Sequence, residues 1–188
     1  ARRSRTGAEV FAEWQAIKAK RRDTLATAGD EYFTREMMTP TGPGTFADFL
    51  HIRVMDAWIH EQDIRRVLHQ PGNEGGPAAQ HSIGRFARSL PMVVGKRAAA
   101  PDGSMVRIDI TGPVARTFHI ATNAGKAAHV EADTDAATSP LCTITLDSNT
   151  YIAMCCGRQF FASSDPRIRI AGDVALGERV MAGFNVMI

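Results

Sequence analysis

The sequence predicts an α+β protein with a helical N-terminal region, residues 1–72, followed by a C-terminal domain of mixed sheet and helices, residues 77–188. Three observations support this division. Apolar residues recur at helical spacing through roughly the first 70 positions. From about residue 104 the apolar period falls to two, which is typical of strands. Between the two parts, the segment QPGNEGG at 70–76 has the composition of a linker.

Composition excludes several classes of protein. The chain is 44% hydrophobic and 22% charged, as expected for a globular protein, and its formal net charge of +2 does not indicate a nucleic-acid partner. Neither a membrane-spanning apolar run nor the apolar core of a signal peptide is present in the sequence. The three cysteines form no spaced framework, which favours reduced thiols and a cytoplasmic location.

The N-terminal region contains two predicted helices. Residues 8–28 form an amphipathic helix whose apolar stripe consists of Val10, Phe11, Trp14, Ile17 and Leu25. Residues 30–44 are predicted to be a connection without regular structure, because four prolines and glycines crowd positions 40–44. The second helix, 45–69, begins at a Thr45–Asp48 capping box and stops before Pro71-Gly72.

Two helices alone cannot cover both of their apolar faces, whereas a four-helix bundle can. The sequence therefore predicts that a partner molecule completes the bundle, with a homodimer as a candidate, or that an N-terminal piece is absent from this chain.

The second helix carries an unusual set of polar residues. Asp56, His60 and Asp63 recur one turn apart, on the face shared with apolar residues that is expected to be buried. A buried carboxylate needs compensation. A divalent metal held by Asp56 and His60 at i and i+4 is one explanation, and an internal salt bridge from Arg53 to Asp56 is the other. His51 lies on the far side of the helix.

The C-terminal half alternates between helices and strands. A third helix spans about 77–96, with Pro91 expected to kink or shorten it. Five strands follow, in the segments MVRIDITG, RTFHIAT, HVEAD, LCTITLD and PRIRIA, and the segment 133–139 is a loop. One helix is capped by Asp147 or Ser148 and ended by Gly157, and a last helix opens at Gly172-Asp173.

Two further features have both a structural and a functional interpretation. Cys155 and Cys156 are interpreted as buried small residues at a helix end, with a redox switch as the alternative. Arg158 is interpreted as a surface residue, with bidentate binding of an anionic group as the alternative.

Several of these segments together resemble one protein family. RVMDAWIHEQDIRRVL with its Pro-Gly linker, LPMVVGKRA, RIDITGP, the Gly-Arg pair after a helix, and AGDVALGERVM are similar to the mycothiol-dependent maleylpyruvate isomerase family. The resemblance implies an N-terminal DinB-like four-helix bundle that binds a metal, and a C-terminal domain resembling sterol carrier proteins. It covers nearly the whole chain from about residue 8.

The resemblance also implies a site. Zinc, or another divalent metal, is expected on Asp56 and His60, with a third ligand, a histidine, in an N-terminal segment that this chain lacks. Asp63 and Arg53 are expected to support the ligands, and Arg158 to anchor substrate or cofactor. The implied cofactor is mycothiol, and the implied partners are small-molecule electrophiles or thiols. The catalytic residues are not indicated. The alternatives are a non-catalytic protein that binds a small apolar ligand, and a structural member without metal.

Overall fold

The structure, a computed structural model, describes residues 3–131 and 139–187. Internal contacts divide the chain into two compact units, one ending at Arg53 and the other beginning at Val54. The boundary falls inside one long helix. The domain bounds predicted above, 1–72 and 77–188, remain a prediction.

Helix α1, Gly7–Thr27, begins at a capping box in which Thr6 and Glu9 bond reciprocally through side chain and backbone. No residue of this helix is buried. The predicted apolar stripe is exposed instead, with Val10, Phe11, Trp14 and Ile17 between 40% and 57% accessible.

The prediction of an irregular connection over 30–44 is wrong. This segment contains a short helix, α2 at Asp30–Thr34, and a hairpin of strands β1, Glu36–Thr39, and β2, Gly42–Thr45. Gly42 has φ of 111°, which only glycine adopts readily, so it turns the chain back after a two-residue loop. Pro43 is tolerated because each strand of a two-stranded ribbon has an open edge.

Helix α3, Phe46–Val67, starts as predicted. The Thr45 amide donates to Asp48 Oδ2 at 2.9 Å, and the Asp48 amide donates to Thr45 Oγ1 at 3.1 Å. The helix ends at Val67, two residues earlier than expected, and His69 beyond it has φ of 53°. The Gln70 amide then donates to Arg65 O at 2.9 Å, which is the bond of a Schellman cap.

A five-stranded mixed sheet forms the core of the second unit, in the order β5-β4-β3-β6-β7. Its strands are β3 Met105–Thr111, β4 Arg116–Asn123, β5 Lys126–Val130, β6 Cys142–Asp147 and β7 Ile168–Gly172. The central strands β3 and β6 are parallel, and the other neighbours are antiparallel. The predicted α+β class is thereby confirmed.

One strand differs from its prediction. The third strand was expected at HVEAD, but β5 begins at Lys126, directly after a tight turn with Ala124 and Gly125 at positive φ. The expected loop at 133–139 falls almost entirely outside the described residues.

The remaining helices are α4 Pro77–Ala87, a π-helix Met92–Arg97, α5 Ser148–Cys155 and α6 Val174–Ala182. The predicted third helix is therefore interrupted before Pro91, as expected for a residue without an amide hydrogen. The Ala87 carbonyl, which Pro91 cannot serve, lies 2.9 Å from His129 Nε2 on β5.

The buried core lies on one face of this sheet. Val106, Ile108 and Ile110 of β3 are buried at alternate positions, as are Cys142, Ile144 and Leu146 of β6. Buried residues from α4, α5 and α6 belong to the same cluster. The helices thus cover one side of the sheet, and the second half of α3 contributes Trp58 and Ile59 to this core.

Candidate functional site

The second half of α3 places three of the predicted site residues together. Asp56, His60 and Asp63 succeed one another at i, i+4 and i+7, so their side chains share one side of the helix. His60 Nε2 lies 3.4 Å from Asp56 Oδ1, and His60 Nδ1 lies 3.5 Å from Asp63 Oδ2. The imidazole is therefore bracketed by two carboxylates.

This face is not buried, and the expectation that it would be is wrong for the described chain. The side chains of His60, Asp56 and Asp63 are 62%, 34% and 25% exposed. The face that packs in this unit carries Trp58 and Ile59, at 3% and 2% exposure. At about 100° per residue, Trp58 lies nearly opposite Asp56, and Ile59 lies about 60° from Asp56, at the edge of the face expected to be buried. Apolar residues occur all round α3, so periodicity alone did not decide which face packs.

Asp63 joins α3 to the end of α5. Arg158 Nη2 donates to Asp63 Oδ2 at 3.0 Å, and Arg158 Nε donates to the same oxygen at 3.1 Å. Arg66 Nη1 donates to Oδ1 at 3.1 Å. Burial alone raises the pKa of Asp63, but the bonds and charges of Arg158 and Arg66 outweigh it and hold that pKa below its usual value. The Asp63 carboxylate is therefore ionised and accepts hydrogen bonds from two guanidinium groups.

Local signals in the sequence position Arg158. Asp147 accepts from the amides of Asn149 and Thr150 and caps the start of α5. Gly157, with φ of 63°, ends the helix as predicted. The Arg158 amide then donates to Ala153 O at 2.8 Å. The Asp63 hydrogen bonds raise the pKa of Arg158, so this cation is firmly held.

Asp56 and His60 fit two positions of a metal site. A carboxylate oxygen and an imidazole nitrogen this close can meet one ion after a small side-chain adjustment. An open catalytic zinc site uses three protein ligands. Across residues 3–131 and 139–187, no group of three or more His, Cys, Asp or Glu side chains is placed to hold a metal. Among the described residues, the Asp56–His60 pair is therefore smaller than the ligand set of such a site.

The other residues singled out from the sequence are Arg53 and the two adjacent cysteines. Arg53 is exposed on α3, one turn before Asp56, in the part of the chain assigned to the first compact unit. Cys155 and Cys156 are buried free thiols at the end of α5, as the structural interpretation predicted. Burial raises the pKa of Cys156 to about 11 and that of Cys155 further. Neither thiol is a nucleophile at neutral pH.

Arg66 is the residue that sequence reasoning missed. On the helical wheel it lies farther round from Asp56, with the charged residues Glu61 and Arg65. Its long side chain nevertheless reaches back to Asp63, three residues earlier. The i, i+3 spacing of opposite charges was the available signal.

These features define a class: a protein with a helical N-terminal region bearing an Asp–His pair, followed by an α+β domain whose arginine contacts the same helix. Comparison with protein families then identifies it. The model for the mycothiol maleylpyruvate isomerase N-terminal domain matches residues 1–65, and the model for the C-terminal domain matches residues 80–179. The chain belongs to the mycothiol maleylpyruvate isomerase family, which confirms the resemblance. No curated protein matches the chain.

Solved structures similar to this chain include sterol carrier proteins. Sterol carrier protein-2 like-3 from Aedes aegypti is 18% identical with a TM-score of 0.39, covering 54% of this chain and 95% of that one. Sterol carrier protein 2 from Yarrowia lipolytica, in its apo form, is 7% identical with a TM-score of 0.41, covering 60% and 94%. At these scores the likeness carries no conclusion about ligands. Within the part of the chain that the structure describes, no helix is long and apolar enough to cross a membrane.

Proposed function

We propose that this chain is a mycothiol-dependent isomerase or transferase in which Asp56 and His60 bind a divalent metal, zinc being the first candidate. The observation that carries the proposal is the 3.4 Å approach of His60 Nε2 to Asp56 Oδ1 on an accessible helix face. Membership of the mycothiol maleylpyruvate isomerase family supplies the thiol. The partners are accordingly mycothiol and a small-molecule electrophile.

Asp63 supports the proposed site by orienting His60. With a metal on Asp56, the ring proton of His60 would lie on Nδ1, which faces the Asp63 carboxylate at 3.5 Å, and the Nε2 lone pair would be left for the metal. Because Arg158 and Arg66 hold the pKa of Asp63 below its usual value, its carboxylate remains an ionised acceptor for that proton at neutral pH.

Arg158 is the proposed anchor for an anionic group of the substrate or cofactor. Its side chain is 37% exposed while its guanidinium is fixed by Asp63, so it presents a positioned cation to solvent. A bound divalent ion would supply the remaining chemistry, since it lowers the pKa of a coordinated thiol and makes it nucleophilic at neutral pH.

A second candidate is non-catalytic binding of a small apolar ligand. A cleft of about 340 Å³ lies beside α6, and its lining is mostly apolar: Met154, Phe160, Phe161, Ala162, Met181 and Ala182, with Ser163 and Glu178. Phe160 is 71% exposed, so a ligand there would cover a large apolar side chain. This function needs no metal.

Zinc titration of the purified chain, followed by a thiol-conjugation assay with mycothiol, separates the two candidates. Asp56→Ala and His60→Ala should each weaken zinc binding by roughly tenfold or more and remove conjugation. His51→Ala is the matched control, because it removes a histidine from another side of the same helix. Wild-type zinc affinity in both site variants would overturn the proposed metal site. Zinc-independent uptake of a fluorescent fatty acid, without conjugation, would favour the apolar-ligand function.

A further inference from the structure

The segment that follows α6, residues 183–187, is fastened to the rest of the second unit, and we call it the strap. Arg97 of the π-helix donates from Nη1 to two strap carbonyls, Gly183 O at 2.8 Å and Asn185 O at 2.6 Å. Between these two bonds, Phe184 is 1% exposed and packs edge-on against a tyrosine of α5, with ring centroids 5.4 Å apart. The strap is therefore held by one ring in the core and by one guanidinium at the surface.

The strap also completes the end of α5. The last carbonyls of a helix have no partner within the helix, and helix ends fray unless other groups satisfy them. Here the Cys155 carbonyl accepts from two strap amides, those of Val186 and Met187, both at 3.1 Å. The final turn of α5 is thus fixed from outside the helix as well as from within it.

A further contact places the strap on the turn that carries Arg158. A Cβ added to Gly157 would lie 3.0 Å from both Nδ2 and Oδ1 of Asn185, so the Asn185 side chain covers this turn closely. On its other side, the Arg158 amide donates to Ala153 O at 2.8 Å. The backbone from which the Arg158 side chain extends is therefore enclosed between α5 and the strap.

The position of the Arg158 guanidinium depends on both ends of its side chain. Asp63 on α3 holds the guanidinium, at 3.1 Å from Nε and 3.0 Å from Nη2. A functional group must be kept within about 0.5 Å of its productive position by the residues that support it. If the end of α5 moves by more than this, the guanidinium either leaves Asp63 or is displaced together with the turn.

We infer that the strap positions Arg158 to bind an anionic group, and that Arg97 and Asn185 are the positioning residues that act through it. The inference rests on the proposed function for the role of Arg158, because it describes what keeps that anchor in place. Both positioning residues act indirectly, since Arg97 bonds to strap carbonyls and Asn185 covers a glycine.

Proton exchange with solvent, measured by NMR on the full chain without metal or thiol, tests this inference. Arg97→Gln should speed exchange of the Val186 and Met187 amides about tenfold, the effect of losing two hydrogen bonds from a partly exposed cation. The Nε proton of Arg158 should exchange about fivefold faster, because its bond to Asp63 opens more often. Arg97→Lys, which keeps a charged donor, should restore part of both effects.

Two further variants separate positioning from general destabilisation. Arg179→Gln removes a comparable bond, from Arg179 Nε to the Ala98 carbonyl at 2.9 Å, and should leave the Arg158 proton unchanged. Asn185→Ala uncovers Gly157 but keeps the backbone carbonyls that Arg97 binds, and it should still speed exchange of the Arg158 proton. The second variant tests the inference even if Arg97→Gln does not fold. The loss of the signal in Arg158→Lys assigns the proton.

The outcomes distinguish this inference from the proposed function. An unchanged Arg158 proton in Asn185→Ala and Arg97→Gln overturns the inference, whether or not the strap amides exchange faster. Equal acceleration in Arg179→Gln also overturns it, since the effect would then be general. If the wild-type chain shows no zinc-dependent conjugation, the proposed function fails and the exchange result stands. In an active enzyme, Arg97→Gln should raise the KM for the anionic partner severalfold with kcat nearly unchanged, and an unchanged KM overturns the positioning role.

Discussion

Asp63→Ala removes the carboxylate that two arginines share, and its effect can be divided between them. Arg158 makes the closer contact, with two N–H groups donating to one oxygen at 3.0 and 3.1 Å. Arg66 gives one bond at 3.1 Å from within the same helix. The Asp63–Arg158 pair should therefore contribute more to the stability of the folded state.

The magnitudes follow from exposure and geometry. Buried hydrogen bonds to charged groups contribute about 1.5–3 kcal/mol, whereas exposed ion pairs contribute about 0.2–1 kcal/mol. Asp63 and Arg158 are 25% and 37% exposed, so solvent screening places their coupling near about 1–1.5 kcal/mol. Arg66 is 47% exposed, and its i, i+3 pair should contribute about 0.3–0.5 kcal/mol.

Urea unfolding followed by Trp58 fluorescence, in a Trp14→Phe background, measures both couplings through double-mutant cycles. The cycles combine Asp63→Ala with Arg158→Ala and with Arg66→Ala. With a typical urea slope of about 2 kcal/mol per molar, Asp63→Ala should lower the unfolding midpoint by about 0.5–1 M.

The contribution of Asp63 to folding stability depends on pH with a definite sign. The pKa of Asp63 is lowered in the folded state, so its stabilising contribution is fully present above the pKa of an unfolded carboxyl group, about 4. The contribution is lost as the pH falls through the folded value. Equal coupling for Arg158 and Arg66 would refute this reasoning. So would an Arg158 coupling that stays constant as the pH is lowered through the folded pKa of Asp63, measured by NMR titration.

Three further predictions concern the second unit. His129→Ala should lower the free energy of unfolding, measured in urea, by about 1–2 kcal/mol, because the Ala87 carbonyl at the end of α4 loses its donor. Gly172→Ala should lower the free energy of unfolding by about 2 kcal/mol or more, since φ at this position is 82° and the added Cβ would collide with the Leu141 carbonyl oxygen. Cys156, with its pKa raised by burial to about 11, should react with iodoacetamide at pH 8 many times more slowly in the native protein than in urea.

Each of these has its own control. Gly103→Ala is the control for Gly172→Ala. It introduces similar backbone strain, at φ of 74°, but nothing lies within 4 Å of the added carbon, so it should lower the free energy of unfolding by only about 1 kcal/mol. Equal losses at the two glycines would contradict the steric argument. A stable His129→Ala variant would show that water replaces the imidazole. Rapid native alkylation of Cys156 would contradict its burial.

Features with short-range causes were predictable from the sequence. The Thr45–Asp48 box, the Asp147 cap and the Gly157 stop each depend on neighbouring residues, and each appears in the structure. The break near Pro91 follows from its missing amide hydrogen. Alternation in β3 and β6 predicted the sheet because only one face is covered.

Features that depend on competition between alternatives were not predictable. The hairpin in 30–44 was hidden because its prolines and glycines are typical of irregular loops, and only the strand pairing shows that they suit an open-edged ribbon. The packed face of α3 was assigned wrongly because two apolar stripes compete on one helix. In the structure, the stripe that contains Trp58 packs into the core of the second unit.

The sequence by itself determined the α+β class, the ends of most helices, the family, and the spacing that brings Asp56 within reach of His60. These properties depend on residues only a few positions apart, where the chain geometry leaves little choice. Only the tertiary structure decided that this face is accessible and that Arg158 binds Asp63, 95 residues away in sequence. Contacts at that distance arise from how whole elements pack, and no local pattern encodes that packing.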